Sequence, residues 1–334
     1  MSSNPDNKAA AKGGAQPKKG VQSDDMIQRL LKSGPIGRIE LAIKPRIKEL
    51  KFSLHLMSKS ATSITGIILI ILLVILAAFP FFFAKPDVGA RDPFIIPKDF
   101  RIPLPQAPGA DFPLGSMENG ASIYYGIVWG SRISMAFAIQ VVIVGVIMGT
   151  ILGLVAGYKG GVIDEIIMRL TDIFLSIPSL ILIMAVAAAL GRGLGATKLA
   201  LIAVWWSGYT RLIRGQVLSI RENSYVDAAR ASGSGDLKIM FRHILPNSWS
   251  PVVVQATMDM GSVVLVLAGL GFLGLGAPSG YAEWGIMVAE GQAFVVVGYW
   301  WMVVFPGLAI LMFVLAFNLM GDGLRDVLDP KMRR

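Results

Sequence analysis

The sequence predicts an all-α polytopic membrane protein with six transmembrane helices, and three observations carry that expectation. Apolar residues make up 54% of the 334-residue chain and charged residues only 16%, a balance far from that of ordinary soluble domains. Six apolar runs each approach the ~20 residues that an α-helix needs to cross ~30 Å of hydrocarbon. Of the 31 Lys and Arg residues, only Lys85, Arg91, Lys98, Arg101, Arg132, Arg192 and Lys198 fall in alternate connecting segments. Basic residues crowd the cytoplasmic side of membrane proteins, so this asymmetry places both termini in the cytoplasm.

Taken in order, residues 1–23 are rich in Lys, Pro, Gly, Ser and Asn, too polar to bury a core, and read as disordered. They lack an early apolar region, so they do not read as a cleavable signal peptide. Residues 24–63 mix basic side chains with Ile27, Leu30, Leu31, Ile36, Ile39, Ile43, Ile47 and Leu50. That pattern suits an amphipathic segment on the cytoplasmic membrane surface, interrupted at Pro35 and Pro45, serving as a lipid anchor or a docking arm. The first membrane helix is expected over 64–83.

Residues 84–130 contain Pro86, Pro93, Pro97, Pro103, Pro105, Pro108 and Pro113, which predicts an ordered extracytoplasmic loop without helix. Five further helices, over 133–158, 166–190, 199–217, 252–276 and 300–319, form a core within 131–320, and 321–334 is a cytoplasmic tail. Pro178 cannot donate to the carbonyl one turn earlier, so the third helix is expected to kink there.

Residues 224–246 are too long and too patterned for a simple reversal between helices, for which 2–8 residues suffice. Ser224 and Asp227 have the spacing of a capping box, so a short helix is expected from about Tyr225. Ala228, Ala229 and Ala231 keep it thin, and Gly233 is placed to end it. Asp236 begins a second short helix over 237–243, and Pro246 opens the next apolar run. Such a helix, fixed at both ends on the membrane surface, is suited to transmit a push from a soluble partner.

This segment resembles the cytoplasmic loop of ABC-importer membrane subunits, Glu-Ala-Ala, three residues, Gly, and a spacer ending in Ile-Leu-Pro. Here it reads Asp227-Ala228-Ala229, Gly233 and Ile244-Leu245-Pro246, with Asp in place of Glu. The stretch from Gly157 to Glu165 is similar to the turn before the third helix of dipeptide/oligopeptide-type permeases. Phe272-Leu273-Gly274-Leu275-Gly276, Phe305-Pro306-Gly307-Leu308-Ala309-Ile310, and the end from Asn318 to Asp326 with Leu328-Asp329-Pro330 match as well. One outer stretch departs. Where such permeases carry Leu-Gly-Thr-Asp-x-x-Gly-Arg-Asp, this chain has Leu114-Gly115-Ser116-Met117-Glu118-Asn119-Gly120-Ala121-Ser122, without the Arg or either acidic position.

The resemblance implies a type I ABC importer permease fold and a non-catalytic subunit working with a second homologous permease. It also implies two ATP-binding subunits that hold ATP and Mg, an extracytoplasmic solute-binding protein, and membrane lipid. Contact with the ATPases would fall to Ser224, Tyr225, Asp227, Ala228, Ala229, Arg230, Gly233, Ile244, Leu245 and Pro246. Di- or oligopeptides are the expected solutes, with oligosaccharides or metal chelates as alternatives. The chain has no Gly-Lys dipeptide and hence no Walker A loop, and no Cys. The formal charge of +9 follows the membrane topology and does not call for nucleic acid.

Three further groups stand out. Glu165, Arg169 and Asp172 share a helix face and are expected to form an ion-pair stripe or an ATPase contact. Asp259 sits inside the apolar 252–276 run, where a carboxylate costs ~2.5–3.5 kcal/mol on insertion scales, so it should face the translocation path or a polar neighbour. Trp205 and Trp206 are further candidates for the path or for the core, and Trp129, Trp284, Trp300 and Trp301 for an outer aromatic belt. His55 and His243 are too far apart in sequence to suggest a metal pair. A proton-coupled carrier, the rival class, would show inverted repeats and several intramembrane carboxylates; a membrane scaffold is a third reading.

Overall fold

The computed structural model of the chain describes residues 60–86 and 92–328. The 1–23 tail, residues 24–59 of the surface segment and residues 329–334 lie outside them. Among the described residues all regular elements are helical, apart from two isolated bridges, Ile95 with Tyr281 and Ser116 with Ser122.

Helix α1 (Ala61–Ala78) begins where Ser60 Oγ accepts from the Ser63 amide, and a short α2 (Pro80–Phe83) follows it. Helix α3 (Ile123–Lys159) begins at Ser122, whose hydroxyl accepts from the Tyr125 amide, and ends at Gly160 with φ of 66°. The Pro-rich connection is therefore not helix-free: it contains a 3-10 turn (Glu118–Gly120) and the first turns of α3, which start well before the expected residue 133. A serine cap outweighed the local density of breakers.

The third apolar run is two helices, α4 (Gly161–Ser176) and α5 (Ser179–Leu190), bent by 91°. The expected kink at Pro178 is thus a full break. Ile177 is extended, and Pro178, lacking an N–H, starts the next helix and does not continue the last.

Helix α6 (Leu194–Ile220) leads to the short α7 (Ser224–Ala231) and α8 (Asp236–Ile239). A π-helical turn (Met240–Ile244) then runs into α9 (Leu245–Phe272), with Pro246 in its first turn, where the missing donor is harmless. Helices α10 (Trp284–Val295) and α11 (Trp301–Leu328) complete the chain, so α11 absorbs residues 321–328 of the expected tail.

Four of these helical segments are long and apolar enough to cross a membrane, and the bent α4–α5 pair makes a fifth. Helix α6, the expected fourth span, falls short on composition because it carries Lys198, Arg211 and Arg214. Its 27 residues suffice in length, and α6 makes with α3 the most extensive helix pair in the fold. A helix enclosed by other helices need not be apolar all round.

The α3–α6 seam is close because α3 presents Gly145, Gly149, Gly153 and Gly157 at four-residue spacing. A Cβ added at Gly153 would lie 2.5 Å from the Thr210 carbonyl oxygen and 2.9 Å from Ile213 Cβ. On another face of α3, Ile139, Ile143, Ile147 and Ile151 remain exposed, as do Ile68, Ile71 and Leu72 of α1, surfaces suited to lipid.

One end of the bundle is closed by an ordered cap. Ile96 N donates to Gly280 O at 2.9 Å and Ala282 N to Phe94 O at 2.7 Å, joining the Pro-rich connection to the segment before α10. Three tryptophans expected in an interfacial belt are instead buried in this cap. Trp129 Nε1 donates to Ala84 O, Trp284 Nε1 to Ile127 O in the first turns of α3, and Trp301 Nε1 to Ser116 O, each spending its polar group on a backbone carbonyl. Trp300 is half-exposed.

Candidate functional site

The segment from α7 to the π turn lies at the opposite end of the bundle, and its side chains divide into two sets. Val226, Ile239, Met240 and Ile244 are buried with Leu154 of α3, Tyr209, Ile213 and Val217 of α6, and Val252 of α9. Ser224, Tyr225, Asp227, Ala228 and Arg230 are exposed, and so are the large apolar side chains of Leu237 and Phe241. The segment is thus nailed to its own bundle on one side and presents a thin, partly apolar helix on the other.

This division corrects details of the sequence reading. Ser224 is the first helical residue, not the cap; the cap position is Asn223, with no side-chain capping bond. Asp227 does not complete a capping box but pairs with Arg230 at 3.1 Å. Ala229 is half-buried against the bundle and Ile244 is 0% exposed, so both are anchors, whereas Ala228 and Pro246 are open to a partner and Leu245 is half-buried. Gly233 has φ of 76°, a left-handed turn in which the Gly233 amide donates to Arg230 O and the Ser234 amide to Ala229 O.

A polar strap fixes the segment to α3. Asp236 accepts from Tyr158 Oη at 2.9 Å and from Lys159 Nζ at 2.5 Å. Nearby, two ion pairs tie α4 to α6: Arg214 grips Asp164 through both carboxylate oxygens at 2.5 and 2.6 Å, and Arg211 meets Asp172 at 2.5 Å. The expected Glu165–Arg169–Asp172 stripe is therefore split. Arg169 stays with Glu165 at 3.7 Å on the exposed face, while Asp172 turns to α6. Residues fifty positions apart meet here, which helix periodicity alone does not reveal.

Midway along α9, Asp259 is 9% exposed and lies in the wall of a cavity of about 430 Å³ formed with Leu175, Tyr209, Arg211, Leu212 and Gln255. Trp205 Nε1 donates to its Oδ2 at 2.9 Å and Gln255 Nε2 to its Oδ1 at 2.8 Å. A second cavity of about 590 Å³ shares Leu212 and Gln255 and extends to Asn247, Ser250 and Arg325. Trp205 thus belongs to the polar cluster. Trp206 does not: its Nε1 donates to Ala203 O of its own helix, and its ring packs on Phe174.

Glu283, which the sequence reading passed over, is 1% exposed in the opposite cap. Its two oxygens accept from the Gly285 and Ile286 amides at 2.8 and 2.9 Å, capping α10. Burial pushes its carboxyl up to about 7, against the pull of those two donors. Beside it, burial and the bond to Asp92 push Tyr281 up to about 12.

A multi-helix membrane bundle with a polar cavity and an anchored surface helix defines an integral-membrane transport subunit. Residues 149–334 match the family model of the binding-protein-dependent transport system inner membrane component. The chain belongs to that family. The probable D,D-dipeptide transport system permease protein DdpC of Escherichia coli K12 is 41% identical over 294 residues, 87% of this chain and 95% of the relative. The di/tripeptide transport system permease protein DppC of Pseudomonas aeruginosa is 40% identical over 80% of this chain and 88% of its own length. The dipeptide permease DppC of Escherichia coli K12 is also 40% identical, over 84% and 92%. Among solved structures, an inward-facing form of the MetNI methionine ABC transporter aligns with a TM-score of 0.50 and 21% identity. It covers 61% of this chain and 97% of that one, a likeness of fold.

Proposed function

We propose that the chain is one of two homologous permeases forming the pathway of a di- or oligopeptide importer. Two ATPase subunits holding ATP and Mg drive it, and an extracytoplasmic binding protein supplies it. The observation that carries the coupling role is the two-sided α7–α8 segment. Val226, Ile239 and Ile244 fasten it to α3, α6 and α9, while Tyr225, Ala228, Leu237 and Phe241 are left for a partner. A force on the exposed side reaches three long helices through a packed interior, which resists compression and so moves as a body. Asp259 and Trp205 belong to the solute path in this reading, both termini and the α7–α8 segment face the cytoplasm, and the cap with Glu283 faces outward. The relatives named above are all di- or tripeptide permeases; the oligosaccharide alternative gains nothing from them. A proton-coupled carrier is disfavoured by family membership and by the isolation of Asp259 among the apolar residues of α9.

The test is transport per ATP hydrolysed in reconstituted vesicles. Ala228→Trp adds bulk on the exposed side, and Gly233→Val strains the turn at a position with no atom within 4 Å of a new Cβ. Both variants should insert and fold, yet lose coupling or shed the ATPases. An unchanged ratio with both ATPases bound would overturn the assignment.

A further inference from the structure

The Asp259 carboxylate has more acceptor capacity than its neighbours use. Its two oxygens offer about four lone-pair sites, and one N–H donor reaches each oxygen, from Trp205 and from Gln255. Both donors are neutral. Among the described residues no Lys or Arg forms an ion pair with Asp259, and the cation that shares its cavity wall, Arg211, is committed to Asp172 at 2.5 Å. The Tyr209 hydroxyl, also buried, is close enough to feel the Asp259 charge but makes no well-formed hydrogen bond. An uncompensated carboxylate at mid-helix is expensive unless a cation visits it.

We propose that Asp259 is the counter-charge for a primary ammonium group of the solute as it crosses the bundle. Resting on the peptide reading, this group is the α-ammonium of a di- or oligopeptide. The neighbouring groups suit that ligand. The Trp205 indole N–H holds one carboxylate oxygen in place and so orients the other lone pairs for the cation. The Tyr209 hydroxyl, which lies at the carboxylate without a well-formed bond to it, can turn to donate to the first peptide carbonyl. From Gln255 the path continues past Ser250 and Asn247, neutral and polar, to exposed Arg325 at the inner mouth. The attraction is strong enough to select and, tempered by two N–H donors, weak enough to release.

The proposal is tested on the assembled complex, with its second permease and ATPases, in nanodiscs without binding protein. Equilibrium binding of dialanine is compared with that of N-acetyl-dialanine, which has the same backbone without the ammonium. Wild type should favour dialanine by at least about tenfold, well within what a partly desolvated ion pair supplies. Asp259→Asn keeps the shape and should bring the ratio close to one while leaving affinity for the acetylated peptide within about twofold; Asp259→Glu should restore part of the preference. Wild type that binds neither peptide, a wild-type ratio near one, or an equal ratio in the Asn variant overturns the proposal. Failure of the peptide reading itself looks different. Vesicles supplied with the binding protein would then accumulate no peptide whichever residue stands at 259.

Discussion

Replacing Gly149 by alanine tests the α3–α6 seam on which the inner half of the bundle depends. A Cβ at this position would lie 2.6 Å from the Trp206 carbonyl oxygen and 2.9 Å from the Thr210 amide nitrogen, and closer still to Tyr209 Cβ. Ordinary contact begins at 3.4 Å, and two of the three obstacles are backbone, so the helices must part by roughly 1 Å or tilt. Overpacking of this kind costs about 1–3 kcal/mol. Alanine also favours the helical state over glycine by up to about 1 kcal/mol, which would mask part of the loss. The matched control is Gly215→Ala on α6, where nothing lies within 4 Å of the added methyl. Subtracting one variant from the other cancels the propensity gain and leaves a penalty of about 1–3 kcal/mol at Gly149. Reversible unfolding of the purified chain in mixed micelles, followed by Trp fluorescence against SDS fraction, reads that difference. Gly149→Ala combined with Gly153→Ala should cost less than the sum, because one separation of the helices relieves both clashes. If Gly149→Ala is as stable as Gly215→Ala, the seam is not close-packed and the rigid-body account of coupling loses its support.

Two other predictions concern the opposite faces. In this chain, which has no Cys of its own, a single cysteine at exposed Gly109 should label with an impermeant thiol reagent in intact cells, while one at Ser234 should not. Labelling at Ser234 from outside would reverse the topology. Glu283 should make the cap that precedes α10 sensitive to pH. Its folded value of about 7 lies above the ordinary 4.5, so the folded state holds its proton more tightly than the unfolded one. The associated stability is complete below about pH 4.5 and is lost as pH rises through 7, by about 3 kcal/mol if the whole shift is expressed. Thermal unfolding should therefore fall between pH 5 and pH 8 in wild type and lose that slope in Glu283→Gln; parallel profiles would show that Glu283 does not titrate there.

Features written in local patterns were legible in the sequence. Gly233 at a helix exit and Pro246 at a helix entry each act within a few residues, and the structure places both as expected; the apolar runs were legible as helices, but four or five spans stand among the described residues where six were expected. The break between α4 and α5 was legible in kind but not in size, since Pro178 announces a lost donor while the 91° bend depends on what α5 packs against. Ser122 was an available cap signal hidden by seven prolines upstream. Glu283 and the three buried tryptophans were not readable, because an acidic residue in a Gly-rich connection, or a Trp near a span end, reads as solvent- or lipid-facing. Their burial comes from contacts over long separations, such as Trp301 with Ser116. The Asp164–Arg214 grip escaped for the same reason.

The two ion pairs between α4 and α6 both lie before the extended residue Ile177. Helix α4 is consequently yoked to α6, while α5, beyond the break, carries no charged residue at all. Any swing at Ile177–Pro178 leaves every one of those charged contacts unbroken, so α5 can change its tilt without the electrostatic toll that parting Arg214 from Asp164 would exact. Beyond this joint only apolar packing, and no ion pair among the described residues, holds α5 to its neighbours, and packing of that kind is readily exchanged for lipid or for a neighbouring subunit's helix.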